Sequence, residues 1–203
     1  MKKKIAILLI LGITAAIGGC SGASKELTLE NVDEQAAFVR KDGSIQVAYV
    51  EDFNSPDYDL SELDTYIHGA MEDFNAVNGV DAVSLSAIGL ENGRVKTVFT
   101  FKNDDTYEKF EIRADGSDIY TMDGSEALTK YSDVSFYSAK SESAEMQKGS
   151  EVINADKSFV IEANGPITLE TYGKIKYYTA GKLRDSRHLV LSEGQNAVII
   201  INK

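Results

Sequence analysis

Several residue types that often carry chemistry are scarce in this chain of 203 residues. It has no tryptophan, one cysteine (Cys20), two histidines (His68 and His188) and two prolines. A single cysteine excludes a disulfide within the chain, and two histidines leave little for a histidine-rich metal site. A sugar-stacking cleft would have to rely on tyrosine. The scarcity of proline beside 16 glycines predicts a fold rich in turns.

Familiar nucleotide, metal and nucleophile motifs are missing as well. The sequence has no G-x-S-x-G, H-E-x-x-H, C-x-x-C, Walker or G-x-G-x-x-G pattern. It therefore predicts no cofactor and no metal site, and it marks no catalytic residue. These observations favour a protein that is not an enzyme.

Acidic residues outnumber basic residues in this chain. The formal net charge is −11, from 21 basic and 32 acidic residues. Residues 1–19 hold three of the lysines and no acid, so the rest has 18 basic and 32 acidic residues, a net charge of −14. Such a surface repels nucleic-acid phosphates and anionic lipid headgroups, so no nucleic-acid partner is expected. The simplest role of this charge is solubility.

The start of the chain holds its one long apolar run. Three lysines precede the run, which extends from Ile5 to Ile17, and Gly18-Gly19 closes it before Cys20. This order is typical of an export signal, and the run is shorter than the roughly 20 residues of a membrane span. We therefore predict a signal peptide over residues 1–19.

Residues 17–20, Ile-Gly-Gly-Cys, resemble the lipobox of bacterial lipoproteins, which usually begins with Leu followed by Ala or Ser. In that family the cysteine receives a diacylglyceryl group and becomes the mature N-terminus. The resemblance implies lipidation of Cys20, a lipidated tether over residues 20–33, and a location on the extracytoplasmic face of the cell membrane. The alternative is a secreted protein with a chance cysteine near its cleavage point.

Hydrophobic periodicity predicts an α+β subdomain over residues 34–131, built as β-hairpin, helix, β-hairpin and short helix. Asp42-Gly43 and Asn92-Gly93 each suit a turn between two strand-like runs. The helix at 59–78 is expected to begin at an Asp59 cap, with Glu62 as its capping-box partner, and to end at Gly79 in a left-handed conformation. Its apolar stripe consists of Leu60, Leu63, Ile67, Ala70, Met71, Phe74 and Val77.

Residues 132–203 are predicted to form a β-rich subdomain, a small sandwich or roll. Short apolar runs alternate there with glycine-marked turns. The run 197–201 is apolar on both faces, so we expect it in the middle of a sheet. Residues 141–149 are polar and are predicted to be a loop.

The two hairpins, the acid-rich helix and the segment at Gly173–Tyr177 resemble small uncharacterised lipoproteins of clostridial Gram-positive gut bacteria. The likeness covers most of the chain after Cys20, but it consists of hydrophobicity and turn patterns. It implies a location and no activity.

Carboxylates are the only abundant reactive groups. Asp115, Asp118 and Asp123 lie near glycines and could hold calcium, but they do not have EF-hand spacing and fit solvated turns better. His68 is expected to be exposed between Asp64 and Glu72 on its helix. His188 follows Arg184–Arg187 in a predicted turn, and nothing else marks it.

Three functions remain open from the sequence. The first is a binding or interaction module at the cell envelope, attached to the membrane through Cys20, with an envelope protein or a small molecule as its partner. The second is a carboxylate-based extracellular hydrolase. The third is an accessory subunit of a transporter or envelope complex.

Overall fold

The computed structural model describes residues 26–56, 58–110, 117–141 and 145–203. They form the predicted α+β fold, with two β-sheets and four helices. Residues 1–19 and the predicted lipidation site Cys20 lie outside the described residues, as does Asp115. The helices are α1 (Leu60–Asn78), α2 (Asp104–Lys109), α3 (Gly124–Tyr131) and α4 (Gly149–Val152). The strands are β1 (Ala36–Val39), β2 (Ile45–Asp52), β3 (Val83–Glu91), β4 (Arg94–Phe101), β5 (Ile119–Asp123), β6 (Ser135–Ser138), β7 (Gln147–Lys148), β8 (Ser158–Asn164), β9 (Ile167–Thr171), β10 (Ile175–Tyr178), β11 (Lys182–Leu183), β12 (His188–Leu191) and β13 (Asn196–Asn202).

The seven-stranded sheet has the order β11-β12-β9-β1-β2-β4-β3. Both predicted hairpins, β1–β2 and β3–β4, are present in it. Asn92 and Gly93 have φ angles of 52° and 75°, as the predicted tight turn between β3 and β4 requires. The pairing of β1 with β9 is parallel, whereas all the other pairings in this sheet are antiparallel.

The six-stranded sheet has the order β5-β8-β13-β10-β6-β7. β13 lies in its interior between β8 and β10, which confirms the position expected for the run 197–201. The segment predicted as a loop at 141–149 is not wholly irregular, because Gln147–Lys148 pairs with β6 and Gly149 begins α4.

Apolar clusters show how the layers stack. The largest one joins both sheets, with Val47 and Leu169 from the first sheet and Ile161 and Ile199 from the second. α3 and α4 cover the other face of the six-stranded sheet. Residues 26–35, here called the N-terminal arm, cover part of the other face of the seven-stranded sheet, here called its outer face.

Helix α1 begins at the predicted Asp59 cap, since the Asp59 side chain accepts from the backbone N–H groups of Ser61 and Glu62, but the Glu62 side chain does not complete the predicted capping box. Ile67 and Met71 are buried in the main core. The predicted stripe is too long at its end, because Val77 is 85% exposed. Gly79 has a positive φ of 104°, but its ψ of 160° is extended and not left-handed helical.

The predicted boundary between residues 131 and 132 does not separate the two sheets. β9, β11 and β12 follow that boundary, yet they belong to the same sheet as β1 to β4. The cause is the parallel pairing of β1 with β9, a contact between distant parts of the chain that local periodicity does not reveal.

The tether predicted over residues 20–33 is too long, because its described part belongs to the folded domain. Leu27 and Val32 of the arm are buried against Phe38 and Val98 on the outer face. The Leu27 N–H also donates to the side-chain oxygen of Gln46 at 3.0 Å. Apolar burial therefore fixes a segment whose polar composition predicted a tether.

Candidate functional site

A cleft of about 860 Å³ lies on the outer face of the seven-stranded sheet, between the arm and the β11–β12 loop. This volume is within the range of small-molecule sites. The cleft is open, and most of the residues that line it are polar or charged. Its lining consists of Leu27, Asn31, Val32, Asp33, Glu34, Ala36, Thr168, Glu170, Lys174, Arg184, Asp185, Ser186, Arg187 and His188.

β9 supplies the floor of the cleft. Side chains alternate between the two faces of a strand, so Leu169 points into the core while Thr168 and Glu170 point to the outer face. β1 and β12 flank β9, and the sheet register places Ala36 opposite Thr168 and His188 opposite Glu170. Rigid strands thus position these side chains.

His188 lies between two carboxylates in the cleft. Its Nδ1 is 2.8 Å from Asp185 Oδ2, and its Nε2 is 3.3 Å from Glu170 Oε2. A neutral imidazole can donate from only one of these nitrogens, whereas an imidazolium donates from both. The arrangement therefore fixes the orientation of the ring.

Asp185 also organises the loop that carries it. Its carboxylate accepts from the backbone N–H groups of Arg187 at 2.7 Å and His188 at 3.1 Å. Partial burial raises the pKa of this carboxyl, but these hydrogen bonds and the one to the His188 ring lower it by more. The net pKa of Asp185 lies below its ordinary value, so the group is an anion at neutral pH.

Glu34 connects the arm to the far wall of the cleft. Its Oε1 accepts from Arg184 Nη2 at 2.6 Å and from Thr168 Oγ1 at 2.8 Å. These two hydrogen bonds, first that of Arg184, hold the pKa of the Glu34 carboxyl below its usual value. Arm, floor and loop therefore meet at one carboxylate.

A buried lysine in β4 also binds the arm. Lys96 in β4 is almost fully enclosed, and its Nζ donates to Leu29 O at 3.1 Å and to Glu91 Oε2 at 2.7 Å. Nζ also lies 3.4 Å from Asp33 Oδ1. The bond to Glu91 raises the pKa of Lys96, so the ammonium stays charged beneath the arm.

The Glu34 contact should make a small part of the stability depend on pH. A carboxyl with a lowered folded-state pKa stabilises the fold above its unfolded pKa, and this contribution is lost as the pH falls through the folded pKa. We expect Glu34→Gln to lower stability at pH 7 by about 0.2–1 kcal/mol, because the pair is more than half exposed. The difference from the wild type should be smaller at pH 3 than at pH 7.

Urea melts of both proteins at the two pH values measure this effect. Glu30→Gln is the matched control, since Glu30 is also an exposed glutamate of the arm and has no side-chain hydrogen bond or ion pair with the described residues. An equal loss of stability in Glu30→Gln would show that the contact contributes nothing. So would a difference in stability between Glu34→Gln and the wild type that is as large at pH 3 as at pH 7.

The structure separates the residues that the sequence singled out. His68 is exposed on α1 as predicted, with Nδ1 at 3.4 Å from Asp64 Oδ1. Asp123 caps α3 by accepting from the Glu126 N–H, and the Asn164 side-chain amide binds Asp118. Among the described residues, no group of three or more His, Cys, Asp or Glu side chains is placed to hold a metal ion.

Sequence reasoning missed the cleft itself. His188, which follows the predicted turn, is the first residue of β12, and its partner Glu170 comes from another strand. The one local signal was the spacing of Asp185 and His188, which suits a side-chain-capped loop. Glu34 and Arg184 are 150 residues apart, so their contact left no local signal.

No protein-family model, curated protein or solved structure matches the chain. Within the part of the chain that the structure describes, no helix is long and apolar enough to cross a membrane. The cleft geometry and the N-terminal motif are therefore the observations that bear on function.

Proposed function

We propose that the protein is a lipid-anchored binding module on the extracytoplasmic face of the cell membrane, and that the cleft is its binding site. The observation that carries the binding-site part of this proposal is the convergence of the arm, β9 and the β11–β12 loop on one open cavity lined mostly by polar and charged residues. A concave site with a few fixed polar groups is the usual form of a small-molecule site.

The anchor part of the proposal is supported by the sequence of residues 1–20. A basic start, an apolar run and Ile-Gly-Gly-Cys form the order that the lipobox resemblance requires. An extended chain rises at most about 3.5 Å per residue, so a lipid on Cys20 would hold the start of the arm within about 20 Å of its attachment point. The cleft, which the arm lines, would then lie close to the membrane.

The contacts of three carboxylates in the cleft favour a binding function over hydrolysis. Glycoside hydrolysis needs one carboxyl free to give a proton and another free to attack or to activate water. Glu170 and Asp185 are both engaged by His188, and Glu34 is engaged by Arg184. These contacts fix the shape of the cleft and leave those three groups less suited to proton transfer.

A ligand screen with two histidine variants tests the proposal. The full-length protein, purified in detergent, is screened by thermal shift against amino acids, sugars, nucleotides, organic acids, phosphates and short peptides. We expect at least one class to raise the melting temperature of the wild type and of His68→Ala but not of His188→Ala. His68 is the matched control because it is exposed on α1, away from the cleft lining.

Two results would contradict the binding proposal. One is a screen in which no ligand shifts the wild type, or in which His188→Ala responds as the wild type does. The other is hydrolysis of an ester, glycoside, peptide or phosphate substrate that Glu170→Gln abolishes, which would establish the hydrolase alternative.

A further inference from the structure

Glu170 is the most buried carboxylate of the cleft and the one that accepts no hydrogen bond. Its side chain is 9% exposed, whereas the other three carboxylate side chains are more than half exposed. Within the described part of the chain, its one polar contact is with His188 Nε2 at 3.3 Å. This distance exceeds the roughly 2.7–2.9 Å of a charge-assisted hydrogen bond.

The other three carboxylates of the cleft have hydrogen-bond donors within the fold. Glu34 and Asp33 each accept from a cationic side chain. Asp185 accepts from two backbone N–H groups and lies 2.8 Å from the His188 ring. Buried polar groups are almost always hydrogen-bonded, because an unpaired one is costly. Glu170 departs from this rule, and its side chain lines the cleft.

The sheet holds Glu170 in place before any ligand arrives. Its strand β9 lies between β1 and β12, in a register that puts Glu170 opposite Phe38 and His188. A fixed acceptor lowers the entropy cost of binding a donor. Leu27 and Val32 of the arm line the same cleft, so an aliphatic part of a ligand would meet apolar side chains there.

The charges around Glu170 leave room for a cation. The four carboxylates of the lining face one histidine and three permanent cations, which are Lys174, Arg184 and Arg187. His188 is shared between Glu170 and Asp185, so even an imidazolium supplies one positive charge for two carboxylates. Among the described residues, none of the three permanent cations forms an ion pair with Glu170. The net charge of −11 also favours the approach of a cation.

From the burial and missing hydrogen bonds of Glu170 we propose that the cleft binds a ligand with a primary ammonium group on an aliphatic chain, and that Glu170 accepts from this ammonium. This inference rests on the proposed function of the cleft as a binding site. An ammonium has three N–H donors and a positive charge, so it supplies both the donors and the charge that Glu170 lacks. A hydroxyl supplies a donor without the charge, and a carboxylate or phosphate supplies neither.

Calorimetric titration of the full-length protein in detergent, at low ionic strength, tests the ammonium assignment. The probes are putrescine, 1,4-butanediol and succinate, which share a butane chain and differ in their end groups. We expect putrescine to bind at least about tenfold more tightly than the other two. Glu170→Gln keeps the shape of the side chain and removes its charge, so it should weaken putrescine binding about tenfold or more.

Glu193→Gln is the matched control. It removes the same charge from an exposed glutamate between β12 and β13 that does not line the cleft, so it should bind putrescine as the wild type does. The ring nitrogens of the two histidines give a second readout in the wild type by nuclear magnetic resonance. Putrescine should shift the resonances of His188, which lies beside Glu170, and leave those of His68 unchanged.

Several results would overturn the ammonium assignment. They are the absence of putrescine binding, putrescine binding that leaves the His188 resonances unmoved, and an equal loss of affinity in Glu193→Gln. Unchanged affinity in a Glu170→Gln protein that melts as the wild type does would also overturn it. Tighter binding of the diol or the dicarboxylate, with a shift at His188, would overturn it while leaving the binding module in place. Failure of putrescine and of every ligand in the thermal-shift screen would instead remove the proposed function itself.

Discussion

Cys20→Ala should abolish membrane attachment. We expect the variant to carry no fatty acid and to be found as an uncleaved precursor or in the medium. Two or more acyl chains hold a protein stably on a bilayer, because each buried methylene contributes about 0.8 kcal/mol. Metabolic labelling with an alkyne fatty acid, followed by fractionation of cells and medium, measures both the label and the location.

Ser21→Ala is the control for this experiment, because it changes the neighbouring residue and leaves the thiol in place. It should be labelled and membrane-bound like the wild type. A Cys20→Ala protein that keeps its fatty-acid label in the membrane fraction would refute lipidation at this residue.

Ile199→Asp should unfold the domain. Ile199 is fully buried in β13, which lies in the interior of the six-stranded sheet, and its side chain contributes to the core shared by both sheets. An unpaired buried charge costs several kcal/mol, and a typical domain has only about 5–15 kcal/mol of stability. We therefore expect loss of the cooperative transition in thermal melts followed by circular dichroism.

His68→Ala is the contrast for this variant. Because His68 is exposed on α1, the change should alter the free energy of unfolding by less than about 0.5 kcal/mol. Similar melting of Ile199→Asp and the wild type would mean that β13 does not lie in the core.

Local chemistry explains how much of the fold could be predicted. The β3–β4 hairpin depends on Asn92 and Gly93, whose positive φ angles only a few residue types adopt easily. Helix α1 depends on the Asp59 cap and on apolar residues at helical spacing. The apolar run of β13 predicted a buried central strand because both of its faces had to be covered.

Long-range contacts explain what could not be predicted. Lys96 occupies an outward position in β4, where alternation suggests exposure to solvent. It is buried because the arm crosses that face of the sheet and offers it Leu29 O. Leu27 and Val32 fix the arm there together with the partly buried Leu29, and the spacing of these three residues fits neither a strand nor a helix.

The candidate site depends on the same kind of contact. The cleft exists because the parallel pairing of β1 with β9 brings the arm beside the β11–β12 loop. His188 is one of two histidines in the sequence, but its role depends on Glu170, which only the pairing of β12 with β9 places opposite it.

The N-terminal peptide of the protein purified from membranes tests the proposed anchor most directly. Tandem mass spectrometry should show that the mature chain begins at Cys20 and that this residue carries the mass of a diacylglyceryl group on sulfur. A mature chain that begins at another residue, or a Cys20 whose free thiol reacts with a maleimide, would contradict the proposal that this module is held at the membrane by lipid.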